Sequence, residues 1–180
     1  DIAILKEKNV SVVTNPASNM KLGNGFAPVP AMLEAGVNVC LGTDGAASNN
    51  SLNMFHELSL LTLIHKGVNK TPQCVSAREG FRIATMNGAK ALGLEQEIGS
   101  IEVGKKADLA ILNLNTPSLT PRNNLIAGLS YSANGSEVET VIIDGQITME
   151  NRKILTMDEA LVYQKVNEII ERMGLDKKEY

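Results

Sequence analysis

With 180 residues, 43% of them hydrophobic and 21% charged, the chain can bury a sizeable core and has the balance of a soluble globular protein. A formal net charge of −3, aromatics at 3% and no tryptophan exclude a basic, base-stacking surface for nucleic acid. No apolar run approaches the roughly 18 residues of a membrane span, and charges stand where a leader peptide would need its apolar core, so a cytoplasmic setting is expected.

The chain opens without methionine, in what reads as the tail of a helix, so its beginning is expected elsewhere. Residues 10–14 are β-branched and bounded by Asn15-Pro16, which predicts a short buried strand. A polar, glycine-rich loop is expected from there to Gly25. Pro30 suits the first turn of a short helix and Gly36 its stop. Val37 to Thr43 reads as a second buried strand running into Asp44-Gly45. Leu52 to His65 has helical spacing. Ser76 and Glu79 have the spacing of a capping box for a helix that ends before Gly93. Strand, helix, strand, helix, helix is the pattern of parallel strands with crossover helices.

Past residue 98 the composition changes. Leu109–Leu112 reads as a strand, and Asp144-Gly145 between two β-rich runs reads as a hairpin turn. A final helix is expected from about Met157 to Arg172, with Thr156 and Glu159 as its capping box and an apolar face of Leu161, Val162, Val166, Ile169, Ile170 and Met173. Lys177 to Tyr180 reads as a frayed tail. Three parts follow: 1–98 as α/β, 99–150 as a small β element, and 151–180 as helix and tail.

Chemistry concentrates in residues 37–51, VNVCLGTDGAASNNS. In parallel α/β folds, reacting groups sit at the C-terminal ends of strands. A carboxylate there can bind a metal or take a proton from an activated water. Position alone leaves a second reading of Asp44, as a turn or helix cap. Residues 14–25 follow the neighbouring strand, and Asn15, Ser18, Asn19 and Lys21 offer groups for a polar heterocycle or for their own backbone. Gly23-Asn24-Gly25 fails as a dinucleotide fingerprint, since Pro28 holds the third glycine position. His56 and His65 lie nine apart in one predicted helix, and Cys40 and Cys74 lack metal-site spacing. Both histidines read as surface or packing residues and both cysteines as free thiols.

The strings NPASNMKLGNGFAPVPAMLEAGVNVCLGTDGAASNNSLNMF and ALGLEQEIGSIEVGKKADLAIL closely resemble the amidohydrolase superfamily. The nearest subgroup is that of the methylthioadenosine/S-adenosylhomocysteine deaminases and the related triazine chlorohydrolases. The resemblance runs from about residue 8 to residue 155. It implies a fold that is the C-terminal part of a metal-dependent (β/α)8 barrel plus part of a small β-sandwich domain, with residues 10–14 and 37–43 as the last two barrel strands. It implies that Asp44 touches a divalent metal, zinc or iron, and acts in proton transfer. Ser48 would lie close by, and Asn19 beside the pocket of a purine nucleoside-like substrate.

The histidines and the glutamate that complete such a site would lie upstream, and Thr14 stands where many relatives are expected to carry histidine. A barrel of this kind needs roughly 250 residues. The chain is therefore expected to bind no metal and to be inactive alone, as a fragment of a deaminase. The alternatives are a split gene product that needs a partner chain, and a binding module without chemistry. Exposed strand edges and helix faces lead to an expectation of self-association.

Overall fold

The computed structural model describes residues 1–175, so the expected tail at Lys177 to Tyr180 lies outside the described residues. The first half runs α1 (Ile2–Glu7), β1 (Val12–Thr14), α2 (Pro16–Lys21), α3 (Val29–Glu34), β2 (Val39–Leu41), α4 (Met54–Asn69), α5 (Ala77–Ala84) and α6 (Met86–Ala91). β1 and β2 pair in parallel, with Val12 opposite Val39 and Thr14 opposite Leu41. The crossover passes through α2 and α3, as parallel strands require. All three residues of β2 are buried. Around it gather Val29 and Met32 of α3, Leu58 and Leu61 of α4, and Ile83 of α5. These apolar side chains stabilise the layer by roughly 1.5–3 kcal/mol each when fully buried.

Two readings of this half are corrected. Residues 14–25 are not simply a loop, because α2 occupies Pro16–Lys21 with proline in its first turn. Proline has its φ preset for a helix start, and its missing N–H would have had no partner there. The helix expected from Ser76 is two helices. Ser76 does cap α5, its hydroxyl accepting from Glu79 N–H, but Thr85 at φ −127°, ψ −86° interrupts the run. The Thr85 hydroxyl donates to the Phe81 carbonyl at 2.8 Å, the local side-chain bonding that competes with helix.

The long helix α4 is capped by Asn53, whose Oδ1 accepts from the N–H groups of Phe55 and His56. Its buried stripe is Glu57, Leu58, Leu61, Thr62 and His65, one helical face. His56 is exposed and His65 buried. Gly80 lets α5 approach this stripe closely. A β-carbon there would come within 2.6 Å of Thr62 Cγ2 and 3.0 Å of Leu58 Cδ1.

The second half holds β3 (Leu109–Leu112), a 3₁₀ turn (Pro117–Leu119), α7 (Leu125–Tyr131), β4 (Val138–Ile143), β5 (Gln146–Glu150), β6 (Lys153–Ile154) and α8 (Glu159–Arg172). The strands form one antiparallel sheet in the order β3-β4-β5-β6. Asp144 and Gly145, at φ 49° and 78°, make the expected hairpin between Ile143 and Gln146. The sheet reaches Ile154, beyond the residue 150 at which the sequence places its end. The sequence pattern does not predict α7, which leaves the sheet and packs on α4 and α5.

α8 begins later than expected, with Asp158 and not Thr156 as its cap, the carboxylate accepting from Leu161 N–H. Its apolar face is real but uncovered among the described residues, with Leu161, Val166 and Ile169 at 49%, 50% and 44% exposure. No described helix is long and apolar enough to cross a membrane.

Candidate active site

The parallel pairing of β1 and β2 brings their C-terminal ends onto one rim. Gly42 N–H donates to the Thr14 carbonyl at 3.0 Å, which carries the pairing one step past the strands. Two residues on stands Asp44, at φ +62°. This left-handed backbone is uncommon for a residue with a β-carbon, though aspartate tolerates it better than most. Local strain of this kind clusters at functional sites. The next residues form a tight turn in which the N–H groups of Ser48 and Asn49 both donate to the Gly45 carbonyl, at 3.1 and 2.9 Å. The turn folds Ser48 and Asn49 back over residues 43 and 44.

The Asp44 carboxylate is exposed, yet it takes three hydrogen bonds. Oδ2 accepts from Ser18 Oγ at 2.6 Å and from Ser48 Oγ at 2.7 Å. Oδ1 accepts from Gly45 N–H at 2.8 Å. Ser48 Oγ also lies 3.1 Å from the Gly45 carbonyl. A hydroxyl has one proton, and the shorter contact to a charged acceptor takes it. The Ser18 hydroxyl, then that of Ser48, then the Gly45 N–H hold the Asp44 pKa down at about 2. Asp44 therefore carries full negative charge at neutral pH. Oδ2 is saturated by the two hydroxyls, whereas Oδ1 retains lone-pair capacity.

Of the residues singled out from the sequence, Asp44 and Ser48 meet. Asn19 lies one residue beyond the contact: Ser18, not Asn19, puts its side chain on Asp44 from α2. Lys21 reaches across the same gap to Asn50 Oδ1. Sequence reasoning missed Asn49 and Glu57. Asn49 is buried and donates from Nδ2 both to the Thr43 carbonyl at 2.8 Å and to Glu57 Oε1 at 2.7 Å. Glu57 Oε2 accepts from Ala17 N–H at 3.0 Å. The signal was present, for Glu57 falls on the apolar stripe of α4, where a carboxylate needs partners.

Among the described residues, no group of three or more histidine, cysteine, aspartate or glutamate side chains gathers at one point. A protein zinc site takes three or four protein ligands. The donor set fits a divalent cation in kind, a hard carboxylate oxygen with spare lone pairs, and supplies one ligand of the set. Cys40 is buried in β2, where desolvation raises its thiol pKa, and Cys74 is half-buried; both are free. Burial, then the neighbouring Lys66 charge, lowers the pKa of His65.

The sequence pattern of the amidohydrolase family matches residues 1–148. This chain belongs to that family. It is 54% identical over 166 residues to a 5-methylthioadenosine/S-adenosylhomocysteine deaminase of Caldanaerobacter subterraneus subsp. tengcongensis, covering 92% of this chain and 38% of that protein. Among solved structures, an adenosine deaminase from Xanthomonas campestris with bound zinc superposes with a TM-score of 0.93 at 38% identity, covering 97% of this chain and 40% of the other. An atrazine chlorohydrolase from Arthrobacter aurescens, complexed with zinc, superposes at 0.87 with 28% identity, covering 94% and 38%. The chain spans about two fifths of the length of the relatives it matches. The fold is thus a part of the amidohydrolase α/β architecture, two parallel strands with their helices followed by a four-stranded antiparallel sheet.

Proposed function

We propose that this chain brings Asp44 to the active site of a metal-dependent amidohydrolase, and that the whole enzyme hydrolytically deaminates an adenosine derivative of the methylthioadenosine or S-adenosylhomocysteine kind. One observation carries the reading: an exposed carboxylate on a left-handed backbone at the end of a buried parallel strand, with one oxygen tied by Ser18 and Ser48 and the other held by a single N–H, that of Gly45. The names of the relatives support the substrate class.

A divalent cation, zinc as in the two solved neighbours or iron, supplies Lewis acidity and a water that ionises near neutral pH. Asp44 would be its ligand in this chain; the further ligands and the acid that protonates the ring would come from outside these 180 residues. In the reaction, water oxygen bonds to the ring carbon bearing the exocyclic amine. Asp44 accepts one of the water's protons and passes it to the amine, which leaves as ammonia; the acid gives its proton to the ring nitrogen and takes back the second water proton, leaving a ring carbonyl. Ser18 and Ser48 fix the plane of the carboxylate. Asn19 and Ser48 border the substrate, a small nucleoside-like molecule. The uncovered face of α8 supports self-association of the enzyme.

The test uses the full-length protein that contains this chain, loaded with zinc and assayed for ammonia release from methylthioadenosine and S-adenosylhomocysteine. Turnover that falls about a thousandfold in Asp44→Asn supports the reading. Chloride release from atrazine in place of ammonia release would transfer the protein to the chlorohydrolases. Neither product, from a folded and metal-loaded protein, would leave a non-catalytic module. The 180 residues alone are expected to be inactive in every arm.

A further inference from the structure

We infer that Glu57 is a positioning residue for Asp44: a buried carboxylate, outside contact with the reacting atoms, that clasps together the two segments between which Asp44 is held. The inference rests on the assignment of Asp44 to the active site and adds a determinant of its geometry.

Glu57 is 0% exposed, one of the largest fully buried side chains of the chain. Burying a carboxylate on an apolar helix stripe is costly unless its oxygens are occupied. Each oxygen has one partner. Oε2 accepts from Ala17 N–H, in the first turn of α2, at 3.0 Å. Oε1 accepts from Asn49 Nδ2 at 2.7 Å. Neither partner is remote from the site. Ala17 directly precedes Ser18, whose hydroxyl meets Asp44 at 2.6 Å. Asn49 directly follows Ser48, the other hydroxyl on Asp44, and its Nδ2 also donates to the carbonyl of Thr43, the residue before Asp44. One carboxylate therefore holds the backbone beside the Ser18 hydroxyl and, through the Asn49 side chain, the loop that carries Ser48 and Asp44.

The chemistry at position 57 is narrow. It faces two donors, so it needs two acceptors and no donor. The Asn49 amide cannot turn round to help, because its Oδ1 accepts from Ser51 N–H at 3.0 Å while its Nδ2 serves Thr43. Glutamine at 57 would point an NH₂ at one of the two donors. Aspartate, one methylene shorter, spans only one of them. A role in filling space alone would make glutamine, the near-isostere, an adequate replacement; a clasp makes it inadequate. Groups that orient a metal ligand from behind typically change activity by about 10–100-fold when removed.

The experiment is Glu57→Gln in the full-length, zinc-loaded enzyme, read by steady-state kinetics and by the crystal structure of the variant. The expected result is a fall in kcat of about tenfold or more with KM changed less than about threefold, and a Ser18 Oγ to Asp44 Oδ2 distance opened beyond hydrogen bonding. Wild-type kcat in the folded variant, or an undisplaced Asp44 carboxylate, would overturn the inference. Should Glu57→Gln fail to fold, Glu57→Asp keeps the carboxylate and loses one arm of the clasp, and the same two readouts decide. If the wild-type enzyme turns over no adenosine derivative, the functional reading fails separately, and the variant structure alone decides the role of Glu57.

Discussion

Ser18 and Asp44, 26 residues apart in the chain, are joined by a 2.6 Å hydrogen bond from hydroxyl to carboxylate that closes the rim above two parallel strands. The bond exists because β1 and β2 are neighbours and each delivers its next residues to the same edge. The Ser18 hydroxyl is the largest cause of the low Asp44 pKa, followed by Ser48 and the Gly45 N–H. Ser18→Ala is therefore expected to raise that pKa from about 2 toward the ordinary carboxylate range, and Ser48→Ala to raise it less. A ¹³C titration of the Asp44 carboxyl checks the order; equal shifts, or none, would refute the account.

The backbone of Asp44 lies at φ +62°, where glycine is at ease and a β-carbon costs about 1–2 kcal/mol. Asp44→Gly is expected to leave the folded chain at least as stable in urea, while turnover by the full-length enzyme drops about a thousandfold or more. Opposite signs for stability and activity mark a position kept for chemistry. A glycine variant that loses both would point instead to Asp44 as a structural turn residue.

α5 crosses α4 at Gly80 with no room for a methyl group, since a β-carbon added at Gly80 would fall 2.6 Å from Thr62 Cγ2. Thr62 is fully buried and its hydroxyl donates within its own helix. It has nowhere to move. Gly80→Ala is expected to destabilise the chain by about 1–3 kcal/mol through overpacking, despite the better helix propensity of alanine. Denaturant unfolding gives the sign at once.

Acid should weaken the fold in two stages. Burial and the Lys66 charge lower the folded pKa of His65 below 6.5. The unfolded chain then binds the proton more readily, so stability present above pH 6.5 is lost as pH falls below it and through the lowered folded value. Glu137 is fully buried, and burial alone would raise its pKa. The Ser118 hydroxyl and the N–H groups of Asn134 and Gly135 outweigh that and hold it below 4.5. Its contribution is present above pH 4.5 and disappears as pH falls through the folded value. His65→Phe should flatten the first stage and Ser118→Ala should shift the second. Unfolding free energy measured from about pH 7 to about pH 3 separates them.

Part of the candidate site's geometry is legible in the sequence because strand ends and small-residue loops announce themselves locally. Asp44 follows a β-branched run, and Ser48 lies in the turn after it. What could not be read is pairing at a distance. Asn19 and Ser18 are adjacent, and only the helical setting of α2 decides which of them points toward Asp44. Asn15-Pro16 could have indicated that helix, since proline is favoured in a first turn. Glu57 is hidden for the opposite reason. It sits in a strong helical pattern, and periodicity records where a side chain points but not the Ala17 N–H and Asn49 amide waiting there. α7 lacks a long apolar pattern, and its place on α4 and α5 is set by tertiary contact.

Asn53 performs two tasks with one amide. Its oxygen caps α4, and its nitrogen donates to the Asn134 carbonyl at 2.6 Å, in the turn that leads into β4. The small sheet is thus tethered to the first turn of the helix that carries Glu57. If the sheet tilts away, the tether swings the cap out of place before any core side chain is exposed. Hydrogen exchange at the Phe55 and His56 amides then becomes a gauge of how firmly the sheet is seated, and it will quicken in advance of global unfolding.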